Sequence, residues 1–127
     1  MNKLLNIDNV MYRVSDLQEA EKFYIGVLGL KKLWEDKLLN MTGFGFDSDK
    51  GKSEIVIHSN PNIPDFDYSY LVEDVISFCG QVREKGYKIL LEPIEVRPGK
   101  YAVVSDSDGN KIPIIDLTKF GGNPRYS

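Results

Sequence analysis

A faint internal repeat constrains this 127-residue chain more than any other feature. Residues 10–24 read Val-Met-Tyr-Arg-Val-Ser-Asp-Leu-Gln-Glu-Ala-Glu-Lys-Phe-Tyr, and residues 68–82 read Tyr-Ser-Tyr-Leu-Val-Glu-Asp-Val-Ile-Ser-Phe-Cys-Gly-Gln-Val. Each starts as a strand, reaches Val-x-Asp (Val14 and Asp16, Val72 and Asp74), and continues as an amphipathic helix that ends at Gly29 or Gly86. Val10, Tyr12 and Val14 alternate with Met11 and Arg13, the period of a strand with two unlike faces. Asp16 and Asp74 offer N-cap oxygens, and Glu19 stands three residues after Asp16 at capping-box spacing. Leu17, Ala20, Phe23, Tyr24, Val27 and Leu28 recur at helical spacing and predict one buried face, as do Val75, Phe78, Cys79 and Val82 in the second half. The predicted helices span about 16–28 and 74–86.

Three strand-like stretches follow each helix: about 31–37, 38–47 and 53–59, then about 87–95, 100–105 and 110–117. Gly43 and Gly45 predict a bend or bulge in the third strand. Pro98-Gly99 and Asp108-Gly109 predict turns. A polar, proline-stiffened connector, Asn60-Pro61-Asn62-Ile63-Pro64-Asp65, separates the halves. The pattern is βαβββ twice, an α+β chain forming a single domain over 1–127 with modules about 5–60 and 66–117. Strand, helix and three strands make a curved sheet with its helix on the convex face. Two such sheets leave a concave cleft, the kind of place ligands favour.

Composition removes several alternatives. The hydrophobic fraction is 42% and the charged fraction 28%, an ordinary globular balance. Net charge is −3 and no stripe of Lys and Arg appears, which argues against nucleic acid as a partner. The single cysteine, Cys79, excludes an intrachain disulfide and reads as a small buried hydrophobe. Met1 to Asp8 is polar and broken by charge, unlike a signal peptide. No apolar run approaches the roughly 20 residues of a membrane span. A cytoplasmic protein is the expectation.

The double βαβββ pattern resembles the vicinal-oxygen-chelate, glyoxalase-like fold of the glyoxalase, bleomycin-resistance protein and extradiol dioxygenase superfamily. Val10 to Leu30, with its "Val-x-Asp-Leu", "Phe-Tyr" and "Leu-Gly", is similar to that family's first module. Asp106-Ser-Asp-Gly-Asn-Lys-Ile-Pro-Ile-Ile115 resembles its closing "Asp-Pro-Asp-Gly-Asn-x-Ile-Glu" hairpin. The resemblance covers about Leu5 to Leu117.

Enzymes of this family commonly hold a divalent metal with His or Glu on the first, fourth, fifth and eighth strands. The resemblance places those positions at Asn9, His58, Asp67 and Pro113. Proline offers no side-chain donor, and Asn9 offers only a neutral carbonyl oxygen, weak for zinc, nickel or iron. His58 and Asp67 are fewer than the three protein ligands of a catalytic zinc. The expectation is therefore no metal and no cofactor. His58, the only histidine, reads first as an inert, hydrogen-bonded sheet residue, next as a cleft residue that contacts ligand, and beyond that as a general base oriented by Asp67. Arg13 shares a strand face with Asn9. In glyoxalase I the matching arginine meets the carboxylate of glutathione, while an ion pair with Glu54 or Asp67 is the structural alternative.

Alternation sends Asn9, Met11, Arg13, Val56, His58, Asp67, Ser69, Leu71, Lys111 and Ile115 toward the cleft. Trp34 and Tyr101 could wall it and stack on a flat ligand. The function these features favour is a metal-free small-molecule-binding protein of the glyoxalase/bleomycin-resistance type, its ligand a small organic molecule. The alternatives are a metal-dependent glyoxalase I-like lyase or dioxygenase with a degenerate site, or a metal-independent lyase or isomerase using His58. Family members of this size are commonly homodimers, and the resemblance implies one here.

Overall fold

The computed structural model describes residues 2–46, 53–63 and 67–120, the last by its backbone only. The order of elements is β1 (Asn6–Arg13), α1 (Leu17–Gly26), β2 (Lys31–Asp36), β3 (Met41–Gly45), β4 (Glu54–His58), β5 (Tyr68–Leu71), α2 (Val75–Glu84), β6 (Ile89–Glu95), β7 (Lys100–Ser105) and β8 (Lys111–Ile115), then a 3-10 turn at Thr118–Phe120. Strand, helix and three strands occur twice, as the repeat predicts, and the fold is α+β. Residues 47, 64 and 65 of the expected third strand and connector lie outside the described residues. The chain divides into two compact units, Asn9–Tyr68 and Met1–Asp8 with Ser69–Ser127.

In the Asn9–Tyr68 unit the strands run β2-β3-β4-β1. β1 pairs parallel to β4, while β2, β3 and β4 are antiparallel neighbours. Leu30, Phe44 and Ile57 form a buried core, packed by Val14, Leu17, Ala20, Tyr24 and Ile55. The Tyr24 ring stacks on Phe44 at 5.6 Å and takes the edge of Phe23 at 5.7 Å. Asp16 caps α1 by accepting the Glu19 N–H at 3.2 Å. The Glu19 carboxylate pairs with Lys22 rather than closing the capping box. On the same side of the sheet Lys32 pairs with Glu21 at 2.9 Å and with Glu35, and these two carboxylates raise its pKa.

Two expectations for this unit are corrected. Phe23, Val27 and Leu28 are not buried: they are 50%, 70% and 49% exposed. The helix stops at Gly26, so Val27 and Leu28 leave the 100° progression that would have aimed them inward. Phe23 sits at the edge of the stripe carried by Leu17, Ala20 and Tyr24. The irregularity expected at Gly43 and Gly45 lies instead in β2, between Lys32 and Trp34, and β3 pairs with β4 without a break.

In the other unit the order is β5-β8-β7-β6. Val72, Val75, Cys79, Ala102, Val104 and Ile114 form its core, with Phe78, Val82, Ile89 and Ile112 against it. On the expected apolar face of α2, Val75 and Cys79 are buried and Phe78 and Val82 partly so, and burial pushes the Cys79 thiol pKa up. Asp74 caps α2 through the Ser77 N–H at 2.9 Å. The N-terminal segment packs here too: the Leu5 N–H reaches the Leu71 carbonyl at 2.8 Å, and the Asn2 amide reaches Ser77 Oγ at 3.1 Å. Gly29, Gly86 and Gly109 take left-handed φ values of 75°, 84° and 84° at the helix ends and the last hairpin, where a side chain would be strained.

Candidate functional site

Each sheet carries its helix on one face, and strand parity assigns the other face. In the Asn9–Tyr68 unit, Ile55, Ile57, Phe44 and Val14 pack toward α1. Residues of opposite parity occupy the helix-free face in register: Asn9 against Glu54, Met11 against Val56, Arg13 against His58. β3 adds Gly45 beside Glu54, Gly43 beside Val56 and Met41 beside His58. β2 adds Trp34 beside Gly43 and Asp36 beside Met41. The face assignments of Asn9, Met11, Arg13, Val56 and His58 therefore follow the alternation read from the sequence, while Trp34 reaches this face through the irregularity in β2.

Much of this face is covered. Asn9 and Glu54 are each 7% exposed, and His58 and Val56 each 2%. Met11 and Trp34 are half-buried, whereas Arg13 and Asp67 are exposed. Polar side chains buried to this degree are costly unless hydrogen-bonded. The Trp34 indole N–H donates to Glu54 Oε2 at 3.0 Å. His58 Nδ1 accepts the Asn60 N–H at 3.2 Å, so the neutral ring carries its proton on Nε2. Asn60 Oδ1 in turn accepts the Asn62 N–H at 2.9 Å, and Arg13 Nη2 donates to the Ile63 carbonyl at 3.0 Å. A turn following β4 thus ties down the Arg13–His58 end. Asp67 meets β1 through its backbone, accepting the Met11 N–H at 2.8 Å. The bond that His58 makes at Nδ1 goes to that turn, and Asp67 keeps an exposed side chain.

Register corrects the position expected for the fourth-strand donor. The residue beside Asn9 on β4 is Glu54, and His58 lies four residues further along. At about 3.3 Å per residue that is about 13 Å, too far for Asn9 and His58 to share one ion. Among the described residues no three His, Cys, Asp or Glu side chains are grouped so as to hold a metal. Asn9, Glu54 and Asp67, whose backbone meets Met11, offer only oxygen donors, one of them a neutral amide, and Pro113, buried opposite Val103 in the other unit, offers none. With no imidazole or thiolate at that register, this donor set does not fit the His- or Cys-containing centre of a catalytic zinc.

Glu54 is the residue that sequence reasoning used only as an ion-pair partner for Arg13. Its parity with Val56 and His58 was available as a signal, since Glu54-Ile55-Val56-Ile57-His58 alternates throughout. The remaining expected residues belong to the other unit. There Ile112 and Ile114 face α2, so Lys111, Pro113 and Ile115 take the helix-free face, with Tyr101 beside Ile115. Tyr70 is the partner of Ile114, which leaves Ser69 and Leu71 on that same face. Ser69 and Tyr101 are buried, and Lys111 is exposed.

Comparison with known proteins agrees with this architecture. A family model described as Glyoxalase/Bleomycin resistance protein/Dioxygenase superfamily matches residues 6–114. A probable lactoylglutathione lyase of Synechocystis sp. is 32% identical over 123 residues, 87% of this chain and 94% of that one. A lactoylglutathione lyase of Salmonella typhimurium is 28% identical over 126 residues, 89% of this chain and 93% of that one. Among solved structures, methylmalonyl-CoA epimerase from Mycobacterium tuberculosis superposes with a TM-score of 0.63 at 15% identity, over 87% of both chains, and so shares the fold.

Proposed function

The chain belongs to the glyoxalase/bleomycin resistance protein/dioxygenase superfamily, and from that premise we propose that it is a small-molecule-binding protein that works without a bound metal. Its ligand is held on the helix-free face of the Asn9–Tyr68 unit. The observation that carries this reading is the buried polar strip of Asn9, Glu54 and His58 on the face opposite the Leu30, Phe44 and Ile57 core. A sheet face with only a packing role would gain more from apolar residues at those positions. Arg13 and Asp67, exposed beside the strip, are the groups a ligand meets first, and Met11 and Val56 give it apolar contact.

A thermal-shift screen of small organic molecules tests the site, because stabilisation grows with ligand concentration over affinity. Arg13→Ala is expected to weaken binding of an anionic hit by about tenfold or more, the loss of a charge-assisted hydrogen bond. Lys22→Ala, on the exposed side of α1, should leave binding within twofold. An absence of hits, or hits indifferent to Arg13→Ala, overturns the site. Metal content is a separate check. Protein purified without chelator should carry far less than stoichiometric zinc, nickel or iron, and a stoichiometric metal lost in Glu54→Ala would overturn the metal-free reading.

A glyoxalase-like lyase is the second reading, supported by the 32% identity to a probable lactoylglutathione lyase. The donor set counts against the metal-dependent form. A metal-independent form would need His58 as a base, and its Nδ1 is already engaged by the Asn60 N–H. Lactoylglutathione lyase activity that survives exhaustive chelation and is lost in His58→Gln would favour that form over simple binding.

A further inference from the structure

Trp34 is the chain's only tryptophan, and residues on two neighbouring strands shape its seat. The indole lies across Gly43, its partner in register on β3, and a Cβ added there would fall among the ring atoms Nε1 and Cε2. Glycine is what allows the ring to lie down on the strand. On β4, Glu54 accepts the indole N–H at 3.0 Å while itself more than nine-tenths buried. The bulge in β2 lets Leu33 cover Gly45 next door, where an added Cβ would come within 2.8 Å of Leu33 Cδ1. Two successive side chains of β2 therefore lie on the helix-free face, and the ring has a fixed tilt with one edge pinned. Trp34 as a residue is half-buried, not closed off.

The chemistry of that seat selects a ligand. An indole face attracts cations through its quadrupole, more strongly than Tyr or Phe does. A hydrogen bond from the N–H to a carboxylate polarises the ring further. When ionised, the carboxylate adds negative charge at the ring's edge, in surroundings that screen it less than water would. A neutral ring gains only the stacking, and an anionic ring meets repulsion from Glu54. The geometry points to Trp34, held by Gly43 and Glu54, as a stacking site for a planar, positively charged ring such as an N-alkylated heteroaromatic. This deepens the small-molecule reading above and rests on it, since the seat lies on the same sheet face.

A single tryptophan yields a single indole N–H signal in a proton–nitrogen correlation spectrum, so the seat can be watched directly. Three probes of one shape separate the contributions at neutral pH: N-methylquinolinium as the cation, quinoline as the neutral ring, and 1-naphthoate as the anion. N-methylquinolinium is expected to shift the indole signal saturably, with quinoline about tenfold weaker, on the scale of a desolvated cation–π contact. 1-Naphthoate should not move it. Glu54→Gln keeps an acceptor for the indole but removes the charge; it should narrow the preference for the cation to what the indole face alone gives, while leaving quinoline binding unchanged. Lys22→Ala should behave as wild type. Should Glu54→Gln fail to fold, the comparison of cation with neutral ring in the wild-type chain decides alone. Equal affinity for quinoline and N-methylquinolinium, or a shift that never saturates, overturns the cationic-ring site. If other molecules still bind and lose affinity in Arg13→Ala, that failure leaves the small-molecule reading standing. If nothing binds in either experiment, both readings fall.

Discussion

Asp116→Ala should be the most destabilising single substitution proposed for this chain, costing about 3–4 kcal/mol as a sum over lost bonds to a charged, buried acceptor. Asp116 follows β8 and is 1% exposed. Its Oδ2 accepts the N–H of Val75, the first residue of α2, at 2.7 Å. Its Oδ1 accepts the Lys100 N–H and the Thr118 hydroxyl, each at 2.9 Å. One carboxylate therefore joins the start of α2, the start of β7 and the end of β8. Removing it strands the Val75 N–H in a fully buried position, where no water can replace the lost partner. Asp116→Asn should recover part of the loss, because its single oxygen can serve Lys100 and Thr118 while its NH₂ group meets the Val75 N–H as donor against donor. For a chain of this length the alanine variant should melt about 10 °C lower. A fall of less than about 3 °C would show that the carboxylate is not the clamp described. Gly99 belongs to the same device: a Cβ there would lie 2.6 Å from the Asp116 carbonyl oxygen, which explains why the turn before β7 carries glycine.

Gly43→Ala should be the next largest, at about 3 kcal/mol from overpacking and the loss of a hydrogen bond to a charged group together. An added methyl occupies the place of the Trp34 ring, so the indole must lift and release Glu54. The carboxylate then stays buried without its indole donor, which is where much of the cost arises. Two readouts should move together: the melting temperature falls, and the emission of the lone tryptophan shifts to the red as the ring enters water. Gly80→Ala is the matched control. Gly80 lies within α2 with nothing within 4 Å of an added Cβ, so alanine there should raise stability by about 0.5–1 kcal/mol through helix propensity. If Gly43→Ala is as harmless as Gly80→Ala, the indole does not rest on β3 and the stacking seat is lost with it.

The two substitutions sit differently with respect to what could be read from the amino-acid order. Gly43 stood out in the sequence, but for the wrong reason: it suggested a bulge in its own strand, whereas the break lies in β2 and the glycine accommodates a neighbour's ring. Asp116 carried no signal at all, because its partners Val75 and Lys100 lie 41 and 16 residues away. Glu54 was halfway between. Its face could be inferred from alternation, while its place beside Asn9 and under Trp34 could not.

By itself the sequence determined what depends on residues close together along the chain. The caps at Asp16 and Asp74, the left-handed glycines at 29 and 86, the apolar stripe of α2 and the parity of β1 and β4 all follow from spacings of two to four residues, where backbone geometry leaves few choices. The twofold βαβββ order follows from those elements in succession. Only the tertiary structure decided which residues stand side by side on different strands. It set Glu54 rather than His58 beside Asn9, drew the His58 imidazole to the turn at Asn60, ended α1 early enough to leave Val27 and Leu28 exposed, and laid Trp34 over Gly43. The physical reason is register: sliding one strand by a residue exchanges its two faces and changes every cross-strand neighbour, and that choice is made by the packing of the whole unit, not by any local run of residues.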